Sequence, residues 1–246
     1  MDKIKTGLFW LRDDFRIIKN NGLIQATKNH RQVIVFYLFK PITYKYQEAQ
    51  KWWLGKSLYN FQKKLNIYNI NLQIIQVDSF KNFFDKLIKK QDFSIYWNKV
   101  YEPDYIKFDE YLSKCFKSKK IEFKIFKGNT LNEFNEIKKN DGTPFKVFTP
   151  FWRSAEKYYM EKVPPKENEI KKCQIKKDYF KKCIQYKEIL PKKKWYKNFE
   201  KIWEPSEEVA LKELKNFIKN KISNYSESRN FPYIVGTSNY HLLLNS

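Results

Sequence analysis

The chain has 246 residues, 42% of them hydrophobic, with 49 Lys and Arg against 27 Asp and Glu for a formal net charge of +22. That length and apolar content suit one large domain, or one domain plus part of a second, and exclude a disordered chain. Apolar runs such as residues 33–39 and 72–77 fall far short of the roughly 20 residues that cross a bilayer. The amino terminus enters the strand-like Gly7-Leu8-Phe9-Trp10 without the charged and apolar sections of a secretory signal, so a cytoplasmic protein is expected.

In chain order, short runs rich in β-branched and aromatic residues predict strands over residues 6–11, 32–39, 71–77, 93–97 and 121–126. Between them, residues 44–68 place Trp53, Leu54, Leu58, Phe61 and Leu65 close to helical spacing, and residues 80–90 and 105–117 read as two further helices. The strands carry few polar positions, as expected of a mostly parallel sheet covered on both faces. The predicted fold class is therefore α/β, an open, mostly parallel, five-stranded Rossmann-like sheet with helices on both faces, over residues 1–135.

Residues 136–205 read as an interdomain connector, dominated after Met160 by lysine and interrupted by Pro164, Pro165 and Pro191. Ser206 followed by Glu207 and Glu208 has the form of a helix start. Val209, Leu211, Leu214, Phe217 and Ile218 then form an apolar stripe. Residues 206–246 are read as the start of an all-α domain, too short to build a core alone.

Cys115, Cys173 and Cys183 lack metal or disulfide spacing and are expected to be reduced thiols. His30 and His241 have no partners at metal-ligand spacing, so no metal site is expected. The positive charge suggests a polyanionic partner. Much of the lysine, however, matches the drift of an AT-rich coding sequence. Arginine is more telling: four of the five, Arg12, Arg16, Arg153 and Arg229, fall in three short motifs. These are positions where a planar guanidinium fork is favoured over an ammonium. The six glycines are scattered at 7, 22, 55, 128, 142 and 236, which excludes the phosphate-binding loops of dinucleotide enzymes and P-loop ATPases.

The three motifs are Trp10-Leu11-Arg12-Asp13-Asp14-Phe15-Arg16, residues 145–153 (Phe-Lys-Val-Phe-Thr-Pro-Phe-Trp-Arg), and Tyr225-Ser226-Glu227-Ser228-Arg229-Asn230-Phe231-Pro232 followed by Gly236-Thr237-Ser238. Read physically, the first organises the carboxyl edge of a sheet, and the aromatics of the second anchor the connector by apolar burial. The third offers hydroxyls and backbone amides beside an arginine, groups suited to phosphate. Together they resemble the DNA photolyase and cryptochrome family, and in particular its class I-type cyclobutane pyrimidine dimer photolyases, in the amino-terminal part only.

The resemblance implies a deoxyribodipyrimidine photolyase, a carbon-carbon lyase in which light-excited, reduced FAD donates an electron to a pyrimidine dimer flipped out of the DNA stack. It assigns Tyr225, Thr237 and Ser238 to the FAD and Arg229 to the DNA backbone. It also implies an antenna pigment, folate or deazaflavin, in the α/β domain. Residues 97–104 resemble the family's strand followed by Tyr-Glu, with Asp104-Tyr105 standing where folate-binding members carry Asn-Glu. A monomer acting on dimer-containing DNA is expected. A cryptochrome-type blue-light sensor, or a basic α/β nucleic-acid-binding module without flavin, is the alternative.

After Ser238 the family continues with a basic residue and then Leu-Ser-Pro, whereas this chain reads Asn239-Tyr240-His241-Leu242-Leu243-Leu244-Asn245-Ser246. A frame starting at the third base of the Asn239 codon reads leucine and then serine or proline, so residues 239–246 are expected to be an out-of-frame tail. The 246-residue chain alone is expected to lack repair activity and to bind FAD weakly or not at all.

Overall fold

The computed structural model describes residues 6–41, 47–133, 135–160, 169–174 and 176–237. Chain order runs β1 (Thr6–Leu11), α1 (Asn21–Asn29), β2 (Val33–Phe39), α2 (Glu48–Ile67), β3 (Asn71–Gln76), α3 (Phe80–Ile88), β4 (Phe93–Asn98), α4 (Pro103–Ser118) and β5 (Phe123–Phe126). After the sheet come α5 (Phe148–Met160), α6 (Tyr186–Ile189), α7 (Glu207–Asn220) and α8 (Tyr225–Ser228). The five strands are all parallel, in the order β3-β2-β1-β4-β5. The expected α/β sheet is thus present, and strand order reverses between β1 and β4.

Both sheet faces are buried. On one, α1 and α2 bury Leu23, Leu58, Phe61 and Leu65 against Val33, Val35 and Leu72. On the other, α3 and α4 bury Phe84, Leu112 and Phe116 against Trp10, Phe36 and Trp97. Phe15, from the first motif, joins the first face, packing edge-on to Phe61 at 5.9 Å. Helix starts follow local chemistry: the side chains of Asn20, Ser79 and Ser206 accept the backbone N–H groups of Leu23, Asn82 and Val209. The predicted start of α2 at residues 44–46 lies outside the described residues. Helix α1 was not anticipated, since it is only nine residues long and opens on Asn-Gly, a turn signal.

The segment read as a connector does more than join two domains. Residues 169–190 wrap the edge strand β3. Ile170 and Cys173 enter the α1–α2 face, Tyr179 and Phe180 pack on the α3–α4 face, and Ile184 returns to form an antiparallel bridge with Ile74. This covers a strand edge that would otherwise present unpaired backbone groups. Farther on, Phe199 packs edge-on against Trp52 at 4.8 Å, and Lys56 pairs with Glu200 at 2.7 Å.

Two expectations about apolar residues are corrected. Residues 148–160 form α5, with Phe148 and Trp152 one turn apart and stacked on each other at 6.3 Å. Both are exposed, at 72% and 45%, while Ala155 supplies the buried contact. Phe148 and Trp152 therefore do not anchor this segment, whereas Phe145 and Phe151, edge-on at 6.2 Å, are half-buried. Helix spacing puts 148, 152 and 155 on one side of α5, where only the small Ala155 is buried. On α7, Ala210 is the buried residue, while Val209, Leu211, Leu214 and Phe217 are half-buried and Ile218 is exposed.

Candidate functional site

The carboxyl ends of β1 and β4 diverge at the point where strand order reverses, and a cleft of about 480 Å³ opens there. Such a switch point is where open α/β sheets bind ligands. Arg12, at the end of β1, is buried beneath it. Its guanidinium donates to both carboxylate oxygens of Asp109 on α4 at 3.1 Å, and to the carbonyl of Asn98 at the end of β4. It also lies 4.8 Å from the Trp10 ring centroid and 5.5 Å from that of Tyr105. Burial pulls the Arg12 cation down from its usual range and pushes the Asp109 carboxyl up, and in each case the partner opposes the shift. The bidentate geometry holds the pair ionised. Arg12 is consumed by the fold, which agrees with its reading as an organiser of the sheet edge.

Arg16, in the same motif, forks onto Asp14 at 2.7 and 2.8 Å, and Asp14 also accepts from the Asn98 amide at 3.2 Å. Asp13 stands exposed at the cleft rim. Its carboxyl is raised chiefly by desolvation in the crowded mouth and further by Glu102 and Asp14, against the pull of Arg12.

The remaining lining comes from Lys99, Tyr101, Glu102, Asn129 and Thr130. Lys99 is paired with Glu133 at 3.2 Å, so the rim is net acidic. Of the residues around the cleft, Asn98 and Thr130 each bury a side-chain oxygen that has no hydrogen-bond partner in the protein, and Asn98 Oδ1 is turned toward Gly22 on α1. An unpaired buried acceptor is costly. The open part of the cleft, with Val100 and Tyr101 beside the carboxylates of Asp13 and Glu102, suits a flat ligand that presents N–H or O–H donors. An acidic rim with its cations already paired fits a phosphate group poorly.

Of the residues assigned by resemblance, Asp104 is exposed on the first turn of α4, and Tyr105 lines a smaller recess of about 220 Å³ beside Phe80 and Arg12. The main cleft is lined instead by residues 98–103. Asp104 and Tyr105 thus stand beside the main cleft without lining it.

The other assigned residues cluster at the end of the described chain. Tyr225 opens α8 with its ring edge-on to Phe217 at 5.5 Å, and Arg229 lies 5.6 Å over the Tyr225 ring. The chain then turns back. A Cβ at Gly236 would come within 2.4 Å of the Ser228 Cβ, so glycine is what lets the returning chain close on α8. The Thr237 carbonyl accepts from Lys221 Nζ at 3.4 Å. Ser238 lies outside the described residues. The structure thus brings Tyr225, Arg229 and Thr237 onto one small unit whose neighbours Tyr233 and Val235 are 82% and 71% exposed. These groups do not enclose a ring system. Among the described residues there is no cluster able to hold a metal ion, and no helix long and apolar enough to cross a membrane.

A doubly wound parallel sheet with a ligand cleft at its switch point, followed by short helices, defines an α/β ligand-binding domain with an appended helical segment. The sequence model of the family described as DNA photolyase matches residues 7–169, and the chain belongs to that family. The deoxyribodipyrimidine photo-lyase of Agrobacterium fabrum is 29% identical over 234 residues, which is 94% of this chain and 48% of the relative. That of Buchnera aphidicola is 26% identical over 244 residues, 96% of this chain and 49% of the relative. A class III photolyase from Agrobacterium tumefaciens superimposes with a TM-score of 0.85 at 27% identity, over 99% of this chain and 51% of that one. The Synechocystis cryptochrome, at 17% identity and a TM-score of 0.76, shares the fold, over 99% of this chain and 53% of that one. The chain spans about half the length of the curated relatives it matches.

Proposed function

We propose that this chain serves light-driven repair of cyclobutane pyrimidine dimers, supplying the α/β domain of a deoxyribodipyrimidine photolyase and the first segment of its FAD and DNA contact. The observation that supports this best is the Tyr225–Thr237 segment, where Arg229 lies over the Tyr225 ring and Gly236 folds the chain back onto α8, with Tyr225, Arg229 and Thr237 all exposed, after a photolyase-like α/β domain. In this reading Tyr225, Thr237 and Ser238 face the flavin and Arg229 faces a DNA phosphate. Bound FAD would supply the electron, and this chain's residues would orient it and hold the DNA. Residues 1–135, 136–205 and 206–246 are proposed as the antenna-type domain, the connector and the first part of the flavin domain. The protein is proposed to act as a cytoplasmic monomer.

The antenna pigment is proposed to occupy the cleft between β1 and β4. Its ring would lie against Val100 and Tyr101, and its donors would reach the carboxylates of Asp13 and Glu102. That lining favours a folate-like or deazaflavin-like ring over a phosphate group.

The test begins with the genomic sequence from the Thr237 codon onward. A frame that continues into a helical region gives a longer protein, in which light-dependent reversal of a thymine dimer in an oligonucleotide is expected. Absence of repair by that protein, with flavin bound, would favour the cryptochrome-type sensor. For the 246-residue chain alone, flavin absorbance after purification is expected to be far below stoichiometric. A stoichiometric yield would overturn the view that its site is incomplete.

A further inference from the structure

The strap over β3 carries a pattern that neither the fold nor the proposed repair site uses. Lysine pairs recur every five residues at Lys171-Lys172, Lys176-Lys177 and Lys181-Lys182, and Asp178 is the one acid between residues 170 and 187. All six lysines are exposed, because the apolar residues between them are turned inward as the anchors of the strap. Asp178 is engaged by the Asn71 amide, and Lys176 by Asn66 Oδ1 at 2.8 Å.

Backbone bonds fix where these lysines lie. Lys171 N–H donates to Thr27 Oγ1 near the end of α1, Cys173 N–H to the carbonyl of Tyr68 before β3, and Gln174 N–H to that of Arg31 before β2. Tyr179 Oη donates to Asp92 just before β4. The first part of the strap therefore crosses the amino edge of the sheet, opposite the acidic cleft.

The parallel topology adds more cations to the same edge, since every helix that leads into a strand ends there. Lys28, Arg31, Lys89, Lys90, Lys119 and Lys120 are exposed around the strand starts, and Lys90 Nζ lies 4.5 Å from the Tyr179 ring centroid. Lysine near a helix end complements the helix dipole and needs no further reason. The strap lysines are not on helices, so the dipole does not account for them. Drift toward lysine in an AT-rich gene does not account for them either, because it does not remove acids from one segment.

We propose that the amino edge of the sheet, centred on Lys171, Lys172, Lys176 and Lys177, is a second polyanion-binding surface. It would hold the phosphate backbone of duplex DNA without regard to sequence or lesion. It shares no residue with the Tyr225–Thr237 unit or the cleft, and it does not depend on the repair reading. Spaced lysine pairs on an extended segment act as point charges that displace counterions, so binding would fall steeply with salt. It would keep the protein on DNA between encounters with a target.

The test is a titration of the full 246-residue chain with undamaged duplex DNA, in the dark, at several salt concentrations. The variant K171Q/K172Q/K176Q/K177Q is compared with K193Q/K197Q/K212Q/K219Q, which removes the same charge elsewhere from exposed positions. The strap variant is expected to flatten the slope of log K against log salt by about 3 to 4. The control is expected to keep the original slope. Equal loss in both variants would reduce the effect to net charge and overturn the proposal, as would an unchanged strap variant. Binding to phosphatidylserine vesicles with none to DNA would also overturn it, assigning the face to a membrane surface. Circular dichroism of both variants checks that the fold is intact.

Discussion

Arg12 and Asp109 join the end of β1 to α4 through two parallel hydrogen bonds of 3.1 Å, with the side chains 4% and 11% exposed. The pair closes the floor of the switch-point cleft and fixes the divergence of β1 and β4 on which the cleft depends. Asp109→Ala leaves a buried guanidinium without its counter-ion and is expected to cost roughly 3–5 kcal/mol in urea unfolding. The double variant Arg12→Met with Asp109→Leu removes both charges and is expected to recover most of that loss. A single variant as stable as the parent protein would show that the pair is not structural.

Gln73 on β3 clamps the strap. Its Oε1 accepts the N–H groups of Tyr179 and Phe180 at 2.9 and 3.0 Å, and its Nε2 donates to the Phe180 carbonyl at 3.0 Å. Gln73→Leu leaves those backbone groups unpaired, a cost of about 1–3 kcal/mol. Trypsin is expected to cut first among the strap lysines in the variant, at a rate well above that of the parent. Mass spectrometry of the early fragments reads the outcome.

Gly128 lies where the chain after β5 passes the end of β4. A Cβ there would stand 2.1 Å from the Lys99 carbonyl oxygen, a backbone atom that cannot swing aside. Gly128→Ala is expected to displace Asn129 and Thr130 from the cleft wall and to lower stability by about 1–3 kcal/mol, as overpacking does. If an antenna pigment binds in this cleft, its affinity falls in parallel. Normal stability together with normal pigment binding would place the ligand elsewhere.

Glu200 provides a pH signature. Its carboxyl is held below the usual carboxylate range, chiefly by the hydrogen bond from Lys56, with a smaller contribution from Trp52 Nε1, which donates at 3.1 Å. A carboxyl with a lowered folded pKa binds its proton less readily in the folded state. Its stabilising contribution is therefore complete above the ordinary carboxylate range and is lost as the pH falls through the lowered value. Glu200→Gln is expected to lower stability in the neutral region and leave it nearly unchanged at the acid end, which flattens the acid limb of the profile. Trp52 fluorescence, followed through the acid transition, reports the change directly.

The cysteines separate by burial. Cys173 is buried and its thiol is pushed up by desolvation. Cys183 is exposed, although desolvation and then Asp178 raise its thiol as well. Alkylation at neutral pH is expected to label Cys183 first and Cys173 only on unfolding, since the thiolate and its access both control the rate. Rapid labelling of Cys173 would mean that the strap opens readily.

The amino-acid sequence by itself determined the five strands, the α2, α3, α4 and α7 helices, and the family. Each of these rests on local information: runs of β-branched and aromatic residues, helical spacing, an N-cap serine, and arginines kept where lysine is otherwise favoured. Tertiary structure alone decided the rest. The strand order placed β1 beside β4 and so created the cleft. Chain return packed Gly236 on Ser228 of α8 and brought the Thr237 carbonyl to Lys221, while the buried pairing of Arg12 with Asp109, 97 residues away, withdrew that arginine from any ligand. The lysine-rich connector could not be read as a strap because its anchors, Cys173, Tyr179, Phe180 and Ile184, follow no single period. Their inward direction is imposed by β3 and by the starts of its neighbours, not by the segment's own backbone preferences. Periodicity reports only the faces an element presents to itself, and contacts between distant segments become visible when the chain has closed.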